Sequence, residues 1–272
     1  MKLPLLRTGA ALKIAQADGV IGGKIWPAAS ALCDFIAHHL PPQHAMKCVE
    51  LGSGTGAVGI YAAATLGCSM TLTEHRPPRL SVIPSVPYAV DGTPEFDAEE
   101  YQDDKSDRLL NLLQWNVDQN AHLFDGDNNK TMHILPRVAE LDWNETSHAQ
   151  QLLLADSAVG FDLILGSDVT YVSQLHQPLA DTIASLLRAS PSSSSEPTRI
   201  KPKCFISHQQ RVLNLRGHDF QLVEFERALL QAGLSTVNIL PFPVTEGSTT
   251  HKVSILEIQH GNANGGNQIV LQ

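Results

Sequence analysis

The sequence predicts a single α/β domain whose mostly parallel, twisted sheet is covered by helices on both faces. Strand-type and helix-type apolar patterns alternate along the chain, which is typical of parallel sheets. The segment 161–166 is almost continuously apolar, as expected of a strand that is buried on both faces. Another apolar segment, 47–51, runs directly into a glycine-rich turn and then into a helix of small residues. Ligands of such sheets bind beyond the carboxyl ends of the strands, so the site is expected there.

Periodicity and helix breakers predict the remaining elements. Strands are expected at about 47–51, 69–73, 131–136, 161–166, 204–207, 237–240 and 252–258. Helices are expected at about 27–39, 57–66, 107–120, 172–188 and 220–232. The domain is expected to span residues 20–260, with a flexible tail at 261–272. The proline-rich, acidic segment 75–107 and the Ser/Pro-rich segment 190–203 are expected to be surface insertions.

Composition limits the class of partner. The 272 residues carry a formal net charge of −9, which argues against binding to nucleic acid or to an anionic membrane. No apolar run approaches the roughly 20 residues of a membrane span. Four cysteines without a Cys-x-x-Cys spacing indicate reduced core residues in a cytoplasmic protein, or one that is also nuclear. Twelve histidines show no metal-binding spacing, so no metal is expected.

The glycine-rich turn at 52–56 indicates a nucleotide-type ligand. Glycines allow a tight bend and a close approach of the backbone, and the following helix directs its unpaired N–H groups at the ligand. The acid Glu74 ends the next strand about twenty residues on, as a ribose-binding carboxylate should. Both the dinucleotide and the S-adenosylmethionine classes fit this geometry, since Gly54-x-Gly56-x-x-Gly59 also matches the dinucleotide fingerprint. A turn that serves packing alone is the third alternative.

A family resemblance rests on six further stretches that occur in order between about residues 20 and 180. They are Gly-Lys-Ile-Trp-Pro-Ala-Ala at 23–29, Val-Glu-Leu-Gly-Ser-Gly-Thr-Gly at 49–56, Leu-Thr-Glu at 72–74, Trp-Asn-Val-Asp-Gln-Asn at 115–120, Leu-Asp-Trp at 141–143 and Phe-Asp-Leu-Ile-Leu-Gly-Ser-Asp-Val-Thr-Tyr at 161–171. With them, the sequence resembles the protein-lysine branch of the seven-strand S-adenosylmethionine-dependent methyltransferases. It is most similar to the group that methylates heat-shock-type chaperones. The family's Arg-rich segment is loosely kept at 207–211 and 216–219, and is expected at the rim of the crevice.

The resemblance implies S-adenosylmethionine as cofactor and a direct transfer of its methyl group to a neutral lysine amine. Glu74 would accept hydrogen bonds from both ribose hydroxyls, Trp143 would stack on adenine, and Asp168 and Tyr171 would shape the substrate channel as catalytic residues. The other residues that it implies for the cofactor site are Trp26, Glu50, Gly52, Ser53, Gly54 and Ser167. The implied partner is a lysine-bearing protein such as a chaperone or a translation factor, and the chain is expected to be a monomer.

Simpler roles stay open for several of these residues. Trp26 and Trp143 can be core aromatics, Asp168 can cap the following helix, and Tyr171 can be a packing tyrosine. Asn116 and Asn120, one helical turn apart, can simply face solvent.

Other functions stay open as well. A nicotinamide-dependent dehydrogenase is one alternative, for which 101–105 even shows a Tyr-x-x-x-Lys spacing. A methyltransferase of small molecules or of protein histidine is another, and a non-catalytic binding module that keeps the fold is a third.

Overall fold

A seven-stranded sheet forms the centre of the molecule. The computed structural model describes residues 3–42, 46–76, 87–88, 108–124, 134–155, 160–187, 201–211, 213 and 219–261. The strands of the sheet are β1 (Lys47–Leu51), β2 (Ser69–Glu74), β3 (Arg137–Glu140), β4 (Leu163–Ser167), β5 (Lys203–Gln209), β6 (Leu234–Pro241) and β7 (Val253–His260). Their order in space is β3-β2-β1-β4-β5-β7-β6. Strands β1 to β5 pair in parallel, whereas β7 is antiparallel to both of its neighbours.

In the part of the chain that the structure describes, six α-helices cover the sheet. They are α1 (Pro27–His39), α2 (Ala57–Leu66), α3 (Arg108–Gln119), α4 (Thr146–Ala155), α5 (His176–Leu186) and α6 (Phe220–Gln231). Helices α1, α2 and α3 contribute to one hydrophobic core, and α4, α5 and α6 contribute to a second core on the opposite face of the sheet. Two short antiparallel pairs lie outside the sheet, Gln16–Ala17 with Pro87–Tyr88 and Val244–Glu246 with Thr249–His251.

The side chains of β1 alternate between these two cores. Cys48 belongs to the core of α1, α2 and α3, while Val49 and Leu51 belong to that of α4, α5 and α6. A strand that is covered on both faces has no solvent side, which explains why Cys48, Val49 and Leu51 are apolar and why even Glu50 is buried. The predicted α/β class, with a mostly parallel sheet and helices on both faces, is therefore confirmed.

Two elements differ from the prediction. The third strand was expected at 131–136 but lies at Arg137–Glu140, and the apolar residues Ile134 and Leu135 before it are exposed. This strand is at the sheet edge, and its two apolar residues, Val138 and Ala139, are only partly buried between Arg137 and Glu140, so its sequence has no clear apolar run. Helix α4 was not predicted, because it buries only Ala149 and Leu152 and therefore has a weak apolar stripe.

The expected helix at 172–188 is divided. A single 3-10 turn at Ser173–Leu175 precedes α5, which begins at His176. The expected insertions at 75–107 and 190–203 and the tail at 261–272 lie largely outside the described residues. Within the described ranges, no helix is long and apolar enough to cross a membrane.

The topology brings several strand ends together. The strand order reverses at β1, which pairs with β2 on one side and with β4 on the other. Leu51, the last residue of β1, is in register with Thr73 of β2 and with Gly166 of β4. The loops that follow these strands therefore meet at one edge, where α/β sheets bind their ligands.

Candidate functional site

The glycine turn that follows β1 forms the floor of the site. Gly52, Gly54 and Gly56 have φ angles of 60°, 54° and 76°, a left-handed conformation that favours glycine. A Cβ atom at Gly52 would lie 3.0 Å from Cγ1 of Val169 and 3.3 Å from Cζ2 of Trp143. The turn thus passes directly beside the residues that follow β3 and β4.

The later glycines of the dinucleotide-like pattern serve packing. A Cβ atom at Gly56 would lie 2.5 Å from Cδ1 of Leu113 in α3. A Cβ atom at Gly59 would overlap the side chains of Leu72 and Glu50. The spacing Gly54-x-Gly56-x-x-Gly59 is therefore explained by close contacts between the turn, α2 and the sheet, without a dinucleotide.

Glu74 lies at the end of β2 and holds the glycine turn from the side. Glu74 is 6% exposed, and its Oε2 accepts a hydrogen bond of 2.8 Å from the Gly54 N–H. Its Oε1 accepts the backbone N–H of His75 at 3.0 Å and lies 3.0 Å from the Nδ1 of the same residue. This hydrogen bond to Glu74 raises the pKa of His75. Each carboxylate oxygen has a second lone pair, so Glu74 can also accept hydroxyl donors.

Ser53 and Glu50 support the turn from beneath. The Ser53 N–H donates to the Thr73 carbonyl at 2.8 Å, and the Ser53 hydroxyl accepts the Thr73 N–H at 3.0 Å. The Glu50 carbonyl accepts the Thr73 hydroxyl at 2.6 Å. The Glu50 carboxylate, which is 1% exposed, accepts the Gly59 N–H at 3.1 Å on the side of α2. Glu50 therefore lies behind the turn, and its contribution to a ligand site is to fix the backbone of that turn.

The buried Glu50 makes stability depend on pH. Burial raises the pKa of its carboxyl group from 4.5 to about 8. Between these values the folded chain holds a proton that the unfolded chain has released, so the free energy of unfolding falls as the pH rises from 4.5 towards 8. Urea unfolding at pH 5, 6.5 and 8 should show a flatter dependence in Glu50→Gln than in the wild type. Glu145→Gln, at an exposed residue, is the control, and identical slopes in all three proteins would contradict the assignment.

Trp143 follows β3 and forms one wall. It is half-buried and packs against the core of α4, α5 and α6, with its indole beside Gly52. The Leu141 N–H donates to the Glu74 carbonyl at 2.9 Å, which holds this loop next to Glu74. A flat aromatic ring in a loop that is hydrogen-bonded to Glu74 suits an aromatic base and its ribose.

Asp168 follows β4 in a strained conformation. Its φ of 58° is the one positive value among the non-glycine residues that the structure describes. Its N–H donates to the Ser207 carbonyl at 2.9 Å, and its carboxylate, 6% exposed, pairs with both Nη atoms of Arg211. The alternative role as a helix cap is wrong, because α5 begins only at His176 and the carboxylate is bound to Arg211 instead. Residual strain at such a position is often retained for function.

A buried chain of polar groups holds the loop after Asp168. The Thr170 hydroxyl lies 2.7 Å from Nδ1 of His208, whose Nε2 lies 2.8 Å from the Asp219 carboxylate. The Thr170 carbonyl accepts from Nε2 of His176 at 2.8 Å. All of these groups are buried or nearly so, and Asp219 also caps α6 through the Leu222 N–H. The loop is thus fixed to β5, α5 and α6 at once.

Tyr171 lies at the open end of this loop and is 41% exposed. Its carbonyl accepts a hydrogen bond of 2.7 Å from Nε2 of Gln221. Partial burial raises the pKa of Tyr171, the negative charges of Glu74 and Asp168 raise it further, and Arg211 acts in the opposite direction. Charged groups at the ends of three strands, β2, β4 and β5, therefore act on the Tyr171 hydroxyl. An exposed tyrosine at this place is not a core residue.

Trp26 closes the other side of the same crevice. It lies immediately before α1 and is 44% exposed, so the alternative role as a core aromatic is wrong. Its ring centre is 5.8 Å from Cζ of Arg211, within the range of a cation–π contact. Arg211 therefore links Trp26 to Asp168.

Two asparagines, one in α3 and one directly after it, fasten the segment before α1 onto the glycine turn. The Asn116 side chain accepts from the Ala15 N–H at 2.8 Å and donates to the carbonyls of Ala15 and Thr55 at 3.0 and 2.9 Å. Asn120 pairs in the same way with the backbone of Lys13. Both asparagines are fully buried, so the alternative in which they face solvent is wrong. Burial is required because each amide satisfies backbone groups that have no strand partner.

Loss of the clamp, by which we mean the three hydrogen bonds between the Asn116 side chain and the backbone of Ala15 and Thr55, should destabilise the fold. Asn116→Ala leaves three buried backbone groups unpaired, and we expect the free energy of unfolding to fall by about 2–4 kcal/mol. Gln114→Ala, at an exposed position of the same helix, should change it by less than about 0.5 kcal/mol. Urea unfolding monitored by circular dichroism measures both values. Equal stability of the two variants would contradict the clamp.

The structure brings the predicted site residues to one edge of the sheet, with one qualification. Glu50 lies behind the glycine turn and does not face the site. Ser167, the last residue of β4, is half-buried. Sequence reasoning missed the roles of Gly22, Asn116, Asn120 and Arg211. A Cβ at Gly54 would lie 2.5 Å from the Gly22 carbonyl oxygen, which explains why two glycines face each other there. Arg211 could have been found, since it follows the end of a parallel strand, as the predicted residues do.

Comparisons with known proteins identify the family. A family model described as lysine methyltransferase matches residues 7–85 and 100–210, more than half of the chain. The chain belongs to this family. It is 26% identical over 178 residues to the calmodulin-lysine N-methyltransferase of Arabidopsis thaliana, covering 65% of this chain and 44% of that protein. It is 27% identical over 190 residues to the protein N-lysine methyltransferase METTL21A of Danio rerio, covering 70% and 63%.

A third relative is the EEF1A lysine methyltransferase 3 of Mus musculus, which is 25% identical over 166 residues, covering 61% of this chain and 51% of that protein. The matched part of the chain thus spans about half of the length of these relatives. Membership of the lysine methyltransferase family confirms the resemblance that the sequence motifs indicated and favours S-adenosylmethionine over a dinucleotide. The Tyr-x-x-x-Lys spacing at 101–105 lies outside the described residues.

The geometry fits that cofactor. Glu74 supplies a buried acceptor for ribose hydroxyls, Trp143 supplies an aromatic wall, and the glycine turn leaves room for a close approach. Among the described residues there is no group of three or more His, Cys, Asp or Glu side chains that could hold a metal ion.

Proposed function

We propose that this chain is an S-adenosylmethionine-dependent protein N-methyltransferase that acts on a lysine side chain. One observation supports the proposal: the glycine turn lies next to Glu74, Trp143 and the loop that begins at Asp168, at one edge of the sheet in a member of the lysine methyltransferase family. The expected domain, residues 20–260, contains all of these parts.

The cofactor supplies a methyl group that is activated by a positively charged sulfur. Glu74 is assigned to the ribose hydroxyls and Trp143 to the adenine, because they are the buried acceptor and the flat wall beside the turn. The full set assigned to the cofactor is Trp26, Glu50, Gly52, Ser53, Gly54, Glu74, Trp143 and Ser167. Within it, Glu50 and the Ser53 hydroxyl act by holding the turn.

Asp168 and Tyr171 are assigned to the amine. Methyl transfer from a sulfonium needs little covalent help, so the protein contributes position and the exclusion of water. Asp168 lies deep in the crevice and Tyr171 at its opening, which suits a channel for an extended side chain. The lysine amine, with a reference pKa near 10.4, has to be neutral when it attacks.

A protein substrate is favoured by the rim of the crevice. Trp26, Tyr171 and Phe220 are 44%, 41% and 47% exposed. Phe220 is adjacent to Gln221, which binds the Tyr171 carbonyl, and Arg211 connects the loop to Trp26. An exposed aromatic rim of this kind is typical of a surface that contacts another macromolecule.

The names of the relatives indicate which substrate proteins to test first. They name calmodulin and EEF1A as substrates of those proteins, and we infer a chaperone or a translation factor for this chain. The net charge of −9 suits a substrate segment with basic residues around the lysine. We further infer a monomer in the cytoplasm, or in both cytoplasm and nucleus.

A transfer assay tests the proposal. The purified chain is incubated with a cell lysate and methyl-labelled S-adenosylmethionine, and labelled proteins are digested and sequenced by mass spectrometry. We expect label on lysine residues of one or a few proteins. Label on histidine alone, on small molecules alone, or on nothing would refute the proposal.

A further inference from the structure

Arg211 is placed where a substrate amine has to arrive. Its two Nη atoms bind the two carboxylate oxygens of Asp168, and its Cζ lies 5.8 Å from the Trp26 ring centre. The Asp168 side chain is 6% exposed and that of Arg211 is 31% exposed, so the pair is shielded but can be reached from the rim. The sequence motifs identified the acid and not this partner.

The charge of Asp168 matters for an amine nucleophile. An unpaired carboxylate within about 4–6 Å stabilises an ammonium ion and raises its pKa by roughly 1–3 units. A lysine held in that way stays protonated at neutral pH and has no lone pair for attack. A bidentate guanidinium on the same carboxylate cancels most of this attraction.

The other charged groups around Asp168 do not provide that cancellation. Glu74, at the end of β2, is negative. Tyr171, in the same loop as Asp168, is neutral at pH 7, as tyrosine ordinarily is, and partial burial raises its pKa further. His208, behind Thr170, is paired with Asp219. Among the described groups that face Asp168, Arg211 is the one with a permanent positive charge in contact with it.

We propose that Arg211 is a positioning residue that neutralises Asp168, so that the crevice selects the neutral form of the substrate amine over the ammonium ion. The amine gives its proton to water before it enters, and its lone pair then forms the N–C bond while the electron pair of the C–S bond returns to sulfur. Asp168 stays ionised throughout, with Arg211 bound. This inference rests on the proposed function for its consequence in turnover, but the binding preference that it states is independent of turnover.

The binding test uses n-butylamine as a mimic of the lysine side chain, with S-adenosylhomocysteine present, titrated between pH 7 and 10 by NMR. In the wild type we expect the apparent affinity to rise about tenfold per pH unit, as the neutral fraction does below pH 10.4. In Arg211→Gln we expect the affinity at pH 7 to be at least tenfold above that of the wild type, because the ammonium ion can replace the guanidinium. Arg227→Gln, which removes the same charge from an exposed site on α6, should behave as the wild type.

Turnover gives a second readout. In Arg211→Gln the acid limb of the kcat profile should move up by about one pH unit, so kcat at pH 7 falls about tenfold while KM does not rise. Arg211→Lys keeps the positive charge, so the acid limb of its kcat profile should lie within about 0.3 pH unit of that of the wild type. This variant can still be measured if Arg211→Gln does not fold.

The outcomes separate the two proposals. If the wild type transfers no methyl group to any lysate protein, the proposed function fails, and the butylamine titration still decides the role of Arg211. If the wild type binds butylamine equally well from pH 7 to 9, or if Arg211→Gln binds it at pH 7 no better than the wild type, the role of Arg211 is overturned. A loss of kcat in Arg211→Gln with an unmoved acid limb would overturn it as well, since a purely structural role predicts that result.

Discussion

Replacing Asp168 by asparagine is expected to lower kcat by about a hundredfold and to leave the affinity for S-adenosylhomocysteine within about threefold. Asparagine tolerates the left-handed backbone at this position, so the φ of 58° can persist in the variant. What is lost is the negative charge of the carboxylate together with one of its two acceptor oxygens, which leaves the positive charge of Arg211 unbalanced beside the amine. The groups assigned to the cofactor, by contrast, are on other strands. Single-turnover kinetics and calorimetry measure the two quantities separately.

Asp181→Asn, at an exposed position of α5, is the matched control and should retain full activity. If Asp168→Asn also retains full activity, Asp168 contributes only to the folding of its loop. If cofactor affinity falls together with turnover, the acid belongs to the cofactor site instead.

Replacing Glu74 by alanine is expected to weaken S-adenosylhomocysteine binding more than tenfold. Two hydrogen bonds to ribose hydroxyls are each worth about 0.5–1.5 kcal/mol net, and 1.4 kcal/mol corresponds to a factor of ten. The same substitution frees the Gly54 N–H, which loosens the turn and adds to the loss. Calorimetric titration of the wild type and the variant gives the ratio directly.

Glu140→Ala is the control for that measurement. Glu140 is in register with Glu74 at the end of β3 and pairs with Arg76 at the surface, so it has the same charge in nearly the same place. Its affinity should stay within about twofold of the wild type. An unchanged affinity in Glu74→Ala would refute the assignment of the ribose acceptor.

Much of the fold could be predicted from the sequence because strand and helix periodicities are strong where both faces of an element are buried. β1 and β4 are of this kind, and their bounds were close to those observed. The edge strand β3 and helix α4 could not be placed, since few of their side chains are buried and neither has a clear apolar pattern.

Site positions could be predicted from the sequence where a polar residue stands at the end of an apolar strand. Glu74 and Asp168 are examples, because an acid at the carboxyl end of a parallel strand has few structural reasons to be there. Asn116 and Arg211 are different, since their roles depend on partners about a hundred and about forty residues away in the chain. The position of Arg211 after a strand end could indicate a site residue, but local sequence does not identify Asp168 as its partner, and the same holds for Asn116 and Ala15.

A crystal structure of the chain with S-adenosylhomocysteine tests the assignment of the site most directly. We expect the ribose hydroxyls on the Glu74 carboxylate, the adenine against Trp143, and the sulfur atom facing the space between Asp168 and Tyr171. A ligand bound elsewhere, or bound here with its sulfur directed away from Asp168, would contradict this assignment.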